Sequence, residues 1–169
     1  MSERKVTMQG NPLALGGEPL QVGQPAPAFT ALKADLTPYS PAEDKGKVLI
    51  INSVPSLDTP VCQTQTRRFN EAAASLGPNS KVLVVSMDLP FAQGRFCSTA
   101  GIENLQTLSD HRDAAFGNAY GMIIPALRLL ARGVTVVDQK GVVRYHETVP
   151  EIGQEPNYEA ALAAAKTLL

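Results

Sequence analysis

The chain has 169 residues, 44% of them apolar and 18% charged, with a formal net charge of -1. That length suits one domain over residues 1–169 with a sizeable core, and the near-neutral balance provides no basic field for nucleic acid or anionic lipid. No apolar run approaches the roughly 20 residues of a membrane span, no secretory leader is visible in Met1-Ser-Glu-Arg-Lys-Val-Thr-Met8, and two cysteines without one point to a reducing cytoplasm.

The first twenty residues are strand-like and turn-rich. Val6–Gln9, a turn at Gly10-Asn-Pro, and Leu13–Leu15 before Gly16-Gly17 predict a short N-terminal hairpin. A loop at Gly23-Gln-Pro-Ala-Pro leads to a short strand near Phe29–Leu32, and Thr37–Pro41 is again turn-rich. The continuous apolar run Lys47–Val54 reads as a central strand buried on both faces. Pro55–Asp58 turns out of it into a helix from Pro60 to Leu76, ended by Gly77-Pro78. Lys81–Met87 is a second buried strand. Asp88 and Pro90 open a helix over Phe91–Ala100, stopped by Gly101, with Ala92, Phe96 and Ala100 as its inner stripe and Cys97 at the edge of that stripe. Phe91, Phe96 and Tyr120 read as core.

Leu105–Ser109 predicts a short strand and Asp113–Ala119 a short helix. Ala131–Asp138 and Val142–Glu147 are strands joined by the turn Gln139-Lys-Gly141. The Ala- and Leu-rich tail, Tyr158–Leu169, is a closing helix. The order β-α-β-α-β-α-β-β-α predicts an α/β sandwich with a mixed central sheet flanked by helices. A terminal antiparallel hairpin after a βαβ unit fits a thioredoxin-like core.

Chemistry concentrates at Cys62. Thr59-Pro60 reads as a helix start, since threonine is a preferred N-cap and proline a preferred first helical residue. Cys62 then takes the third helical position, where amide N–H groups lack intrahelical partners and the helix dipole is positive, a setting that favours a thiolate. Phe69, Ala73 and Leu76 share its face, so the thiol is expected to look inward. An ordinary thiol of pKa roughly 8.5 is a few per cent ionised at pH 7, so complete ionisation alone gains about 30-fold. Lowering the pKa also blunts the nucleophile. A fast reaction at Cys62 therefore needs donors placed where charge develops.

The surrounding residues resemble a known family. Pro55-x-x-x-Thr59-x-x-Cys62 matches the active-site motif of the peroxiredoxins. The strings Val54–Cys62, Asp88–Cys97 and Leu130–Asp138 are similar to the thiol peroxidase branch, of the atypical two-cysteine kind, and the likeness runs from Met8 to Leu162. The resemblance implies a thioredoxin-like fold of the peroxiredoxin type. It implies that Cys62 is the peroxidatic cysteine, attacking hydrogen peroxide or organic hydroperoxides and becoming a sulfenic acid. Cys97 would resolve that acid as an intramolecular disulfide, which thioredoxin would reduce. Thr59 would hydrogen-bond the reacting oxygens, Arg132 would stabilise the thiolate and the developing charge, and Pro55 would shield the thiolate from water. No metal, flavin, haem or other cofactor is implied, and a homodimer is.

Simpler readings stand beside these. Cys62 and Cys97 could be small core residues, Thr59 only an N-cap, and Pro55 only a turn former. Arg128, one helical turn from Arg132, is a rival cation. Asp58 reads as a helix-start residue meeting the dipole, Arg67 and Arg68 as a solvated face, and Arg95 as a partner of Asp88 or of the site's rim. His111 and His146 lack ligand-like spacing with the cysteines. A disulfide oxidoreductase would show C-x-x-C where this chain has Cys62-Gln-Thr-Gln65. A redox-responsive binding protein would use the same residues as a peroxidase, and turnover separates the two.

Overall fold

The structure, a computed structural model, describes residues 3–169. Met1 and Ser2, the first two residues of the expected 1–20 extension, lie outside them. Strands β1 (Lys5–Met8) and β2 (Asn11–Ala14) form the N-terminal hairpin. Its turn is Gln9-Gly10, both with positive φ (51° and 82°), rather than the predicted Gly10-Asn-Pro. A two-residue turn with left-handed residues matches the twist of the strands it joins, and it draws Asn11 and Pro12 into the ladder.

The central sheet has seven strands. In chain order they are β3 (Ala31–Leu32), β4 (Pro38–Tyr39), β5 (Val48–Ser53), β6 (Ser80–Ser86) and β7 (Gln106–Ser109); after a separate two-stranded pair, β8 (Ile123–Ile124) with β9 (Leu129–Leu130), come β10 (Gly133–Val137) and β11 (Val143–Thr148). Their spatial order is β11-β10-β5-β6-β7-β3-β4. β5, β6 and β7 run parallel, while β10 is antiparallel to both β5 and β11, as the mixed sheet requires. Among the described residues, four α-helices accompany it: α1 (Pro60–Leu76), α2 (Pro90–Ala100), α3 (Ala115–Ala119) and α4 (Tyr158–Lys166).

The strand alternation divides the core. Val48, Ile50, Val82, Val134 and Val136 pack with Phe69 and Leu76 of α1 and with Tyr158, Ala161 and Ala165 of α4. Leu49, Ile51, Leu83 and Val85 point the other way, onto Phe116, Tyr120, Met122, Ile152 and Val6 of the hairpin. Every residue of β5 is buried, which explains its apolar run Val48–Ile51.

Several boundaries and faces differ from the sequence reading. β10 begins at Gly133, because Ala131 N–H bonds the Met122 carbonyl (2.7 Å) and Arg132 turns inward. The α2 inner face is Pro90, Gln93 and Phe96. Gln93 takes the place expected for Ala92 because its amide donates to Ser86 Oγ (2.9 Å) and the Leu108 carbonyl (2.8 Å). Phe91 is not core: it is 69% exposed on the first turn of α2. α2 starts from Leu89, with no side-chain cap, and Asp88 serves elsewhere.

Candidate active site

The site is built where the C-terminal end of β5 meets the first turn of α1. Pro60 holds the first helical position with its fixed φ and no N–H to leave unpaired. Thr59 is the N-cap by position (φ -115°, ψ 148°), but its hydroxyl does not cap the helix. It donates to the Ser56 carbonyl at 2.8 Å, within its own turn. That corrects the expectation of a side-chain cap and commits the hydroxyl proton of this exposed residue to its own turn, leaving the oxygen able to accept.

Cys62 is at the third helical position and 0% exposed. It packs with Val54, Leu57, Val84, Phe96 and Ile102. Pro55 is buried in the turn between β5 and α1. Arg132 enters from the segment just before β10. It is 2% exposed, and Nη2 donates to Cys62 Sγ at 3.3 Å. Its Nη1 donates to Gln65 Oε1 (3.1 Å) and its Nε to the Ile152 carbonyl (2.9 Å). The rival Arg128 is exposed, donates to the His111 carbonyl (2.8 Å) and does not reach the site.

A guanidinium out of water is costly unless its charge is balanced. Two of the three Arg132 partners are neutral oxygens, and the third is sulfur. Sequence reasoning missed the residues that hold the arginine. Gln65, fully buried one turn after Cys62, accepts from Arg132 and donates to Asn52 Oδ1 (2.9 Å). Asn52, which follows four apolar residues in β5, donates weakly to the Leu83 carbonyl (3.4 Å). A polar residue inside a buried strand was the available signal, since such a group needs a buried partner.

Asp88 was expected at a helix start and instead joins two loops. Its carboxylate accepts from Leu57 N–H (2.8 Å), Ser56 Oγ (2.7 Å) and Ser86 Oγ (2.7 Å), tying the turn before α1 to the end of β6. Arg95 pairs with Asp58 at 3.7 Å, not with Asp88. Arg67 and Arg68 are exposed, as expected, and lie over the rings of Phe96 (5.8 Å) and Tyr158 (4.3 Å).

Cys97 is in the last turn of α2, half-buried, and packs against the same apolar cluster as Cys62. Burial pushes its thiol up from the ordinary range, offset in part by a hydrogen bond with Thr107. Its surroundings form a shallow groove with Lys33, Asp35, Ile102 and Thr107. Both thiols are free, Cys62 facing Arg132 and Cys97 facing β7.

The chain resembles proteins of known kind along nearly its whole length. Residues 21–162 match the Redoxin family model. A thiol peroxidase of Halalkalibacterium halodurans is 53% identical over 97% of this chain and 98% of its own. A thiol peroxidase of Bacillus subtilis is 52% identical over 98% of each. Among solved structures, a peroxiredoxin-like protein from Aquifex aeolicus superposes with a TM-score of 0.92, at 44% identity over 98% of each chain. A cysteine at a helix start, a buried arginine on its sulfur and relatives of this closeness lead to one conclusion: the chain belongs to the redoxin family and, within it, to the thiol peroxidases.

Proposed function

We propose that this chain reduces hydrogen peroxide and organic hydroperoxides to water and alcohols, with Cys62 and Cys97 as its redox pair and thioredoxin as the reductant. The observation that carries the reading is the buried Arg132 Nη2–Cys62 Sγ contact of 3.3 Å at a helix N-terminus. The Cys62 thiolate attacks the terminal peroxide oxygen. The S–O bond forms as the O–O bond breaks, and the departing alkoxide or hydroxide takes up a proton and leaves as alcohol or water. Arg132 and the first-turn amides face the charge that develops on these oxygens. The Thr59 hydroxyl has its proton committed to Ser56, so it accepts a hydrogen bond from the peroxide O–H. Pro55 and Leu57 keep water from the thiolate.

The Cys97 thiolate then attacks the Cys62 sulfenic sulfur. The S–S bond forms, the S–O bond breaks, and the hydroxyl leaves as water. Two electrons from a dithiol of thioredoxin reopen the disulfide. A disulfide needs Cα atoms within roughly 7 Å, and each cysteine lies within a formed helix, so the first turn of α1, the last turn of α2, or both are proposed to unwind before the sulfurs join. We place the protein in the cytoplasm as a homodimer.

Peroxide consumption coupled to thioredoxin, thioredoxin reductase and NADPH tests this. Many turnovers are expected for the natural chain, none for Cys62→Ser, and one equivalent per chain before stalling for Cys97→Ser. A natural chain that stops after one equivalent would contradict the enzyme and favour a redox-responsive binding protein.

A further inference from the structure

Of the three groups that hold Arg132, Cys62 and Gln65 both come from α1. The third, the Ile152 carbonyl, comes from the segment after β11 and alone receives Nε. That segment has no regular structure of its own beyond an isolated bridge, so the position of its carbonyl depends on what it is tied to.

It is tied to the N-terminal hairpin. Thr7 N–H donates to the Pro150 carbonyl (2.7 Å), and Ile152 N–H donates to the Thr7 carbonyl (2.8 Å). Thr7 is free to do so because it faces Pro12 across the hairpin and turns its own N–H and carbonyl away from β2. The Glu151 side chain reinforces the junction. Its Oε1 accepts from Thr7 Oγ1 (3.1 Å) and from Gly10 N–H (3.0 Å), and its Oε2 accepts from Gly153 N–H (3.0 Å). Val6 and Ile152 are buried in the same core cluster. On the far side, Val149 N–H returns to the Arg132 carbonyl (2.9 Å). The segment 149–152 is thus held between hairpin and arginine, by backbone bonds and the Glu151 carboxylate toward the hairpin, and by one backbone bond and the guanidinium toward the arginine.

We propose that the N-terminal hairpin, through Thr7 and the Glu151 carboxylate, positions Arg132 for the reaction at Cys62. Glu151 and Thr7 are positioning residues, acting through the Ile152 carbonyl and touching neither sulfur nor peroxide. The proposal rests on the role given to Arg132 under the proposed function.

The test is a double-mutant cycle on the second-order rate of the first peroxide reaction, with melting temperatures recorded alongside. Glu151→Ala is expected to slow that reaction roughly tenfold, and Glu151→Gln, which keeps an oxygen for Thr7 and Gly10, by less than about threefold. In an Arg132→Ala background, Glu151→Ala is expected to change the rate by less than about twofold, because the group it positions is gone. Thr7→Val, which leaves the backbone bonds in place, makes the same comparison with an expected loss of roughly threefold, and it serves should Glu151→Ala fail to fold. Equal slowing in both backgrounds would overturn the proposal by showing an effect on the fold alone. A natural rate in Glu151→Ala and Thr7→Val, with Arg132→Ala slow, would overturn the hairpin's role and leave the arginine's standing. A natural rate in Arg132→Ala would remove both.

Discussion

Arg132 is the buried cation that touches the Cys62 sulfur. Its guanidinium is engaged at all three nitrogens. Removing one preorganised donor from developing charge costs about 10²–10³ in rate. Arg132→Ala is therefore expected to lower the second-order rate with hydrogen peroxide by roughly that factor. Arg132→Lys should recover little, because a single ammonium cannot serve three separate acceptors held in a fork. Stopped-flow peroxide consumption at pH 7 measures both, and a rate within about threefold of the natural chain would remove Arg132 from the chemistry. At this scale Cys62 was legible because its helix-start context is local, lying within four residues. Arg132 was legible only through the resemblance of its strand. Gln65 and Asn52 were not read at all. Their partnership joins β5 to α1 and to the segment before β10, and no spacing in the chain records a bond across three elements.

Among the elements, those with many residues and one period were legible. β5, β6 and α1 emerge from unbroken apolar runs or a clear start and stop, and they are the elements that place Cys62. The pair β8–β9 was not foreseen, because two-residue ladders have no periodicity to detect. The hairpin turn was misplaced by one residue. Gly10-Asn-Pro carries strong turn formers, yet Gln9 adopts positive φ and the ladder continues through Asn11 and Pro12. Glycine is the usual residue at positive φ, and the pairing of β1 with β2 overrides that preference at Gln9. α2 shows the same limit. Its existence was clear, but its inner face is set by Gln93, whose buried amide bonds β6 and β7, while Phe91 is left outside. Asp88 was assigned to the wrong task for a related reason. An aspartate two residues before a proline resembles a helix start, whereas here three donors, two from the turn before α1 and one from the end of β6, claim its carboxylate.

The whole molecule binds protons unevenly on folding, and His146 makes this testable. It sits on β11, with Nδ1 2.9 Å from Thr135 Oγ1 and Nε2 3.2 Å from Thr148 Oγ1. Burial first, and the Arg4 charge second, lower its pKa from the ordinary 6.5 to about 4. The folded state therefore holds it neutral where the unfolded chain is protonated. Its contribution is fully present above pH 6.5 and is lost as pH falls toward about 4. The difference corresponds to about 3 kcal/mol. Urea midpoints are expected to fall from pH 6.5 to 4.5 in the natural chain, and to fall less in His146→Gln. Equal slopes would show that His146 titrates alike in both states.

The proposed function depends on Cys62 and Cys97 acting as one redox pair. The most direct measurement is the mass of the reduced protein after one equivalent of hydrogen peroxide, followed by peptide mapping without reductant. The account predicts the loss of two hydrogens per chain and a peptide pair linked through Cys62 and Cys97. A stable sulfenic or sulfinic acid on Cys62, with Cys97 still a free thiol, would contradict it and leave Cys97 as a residue of the core.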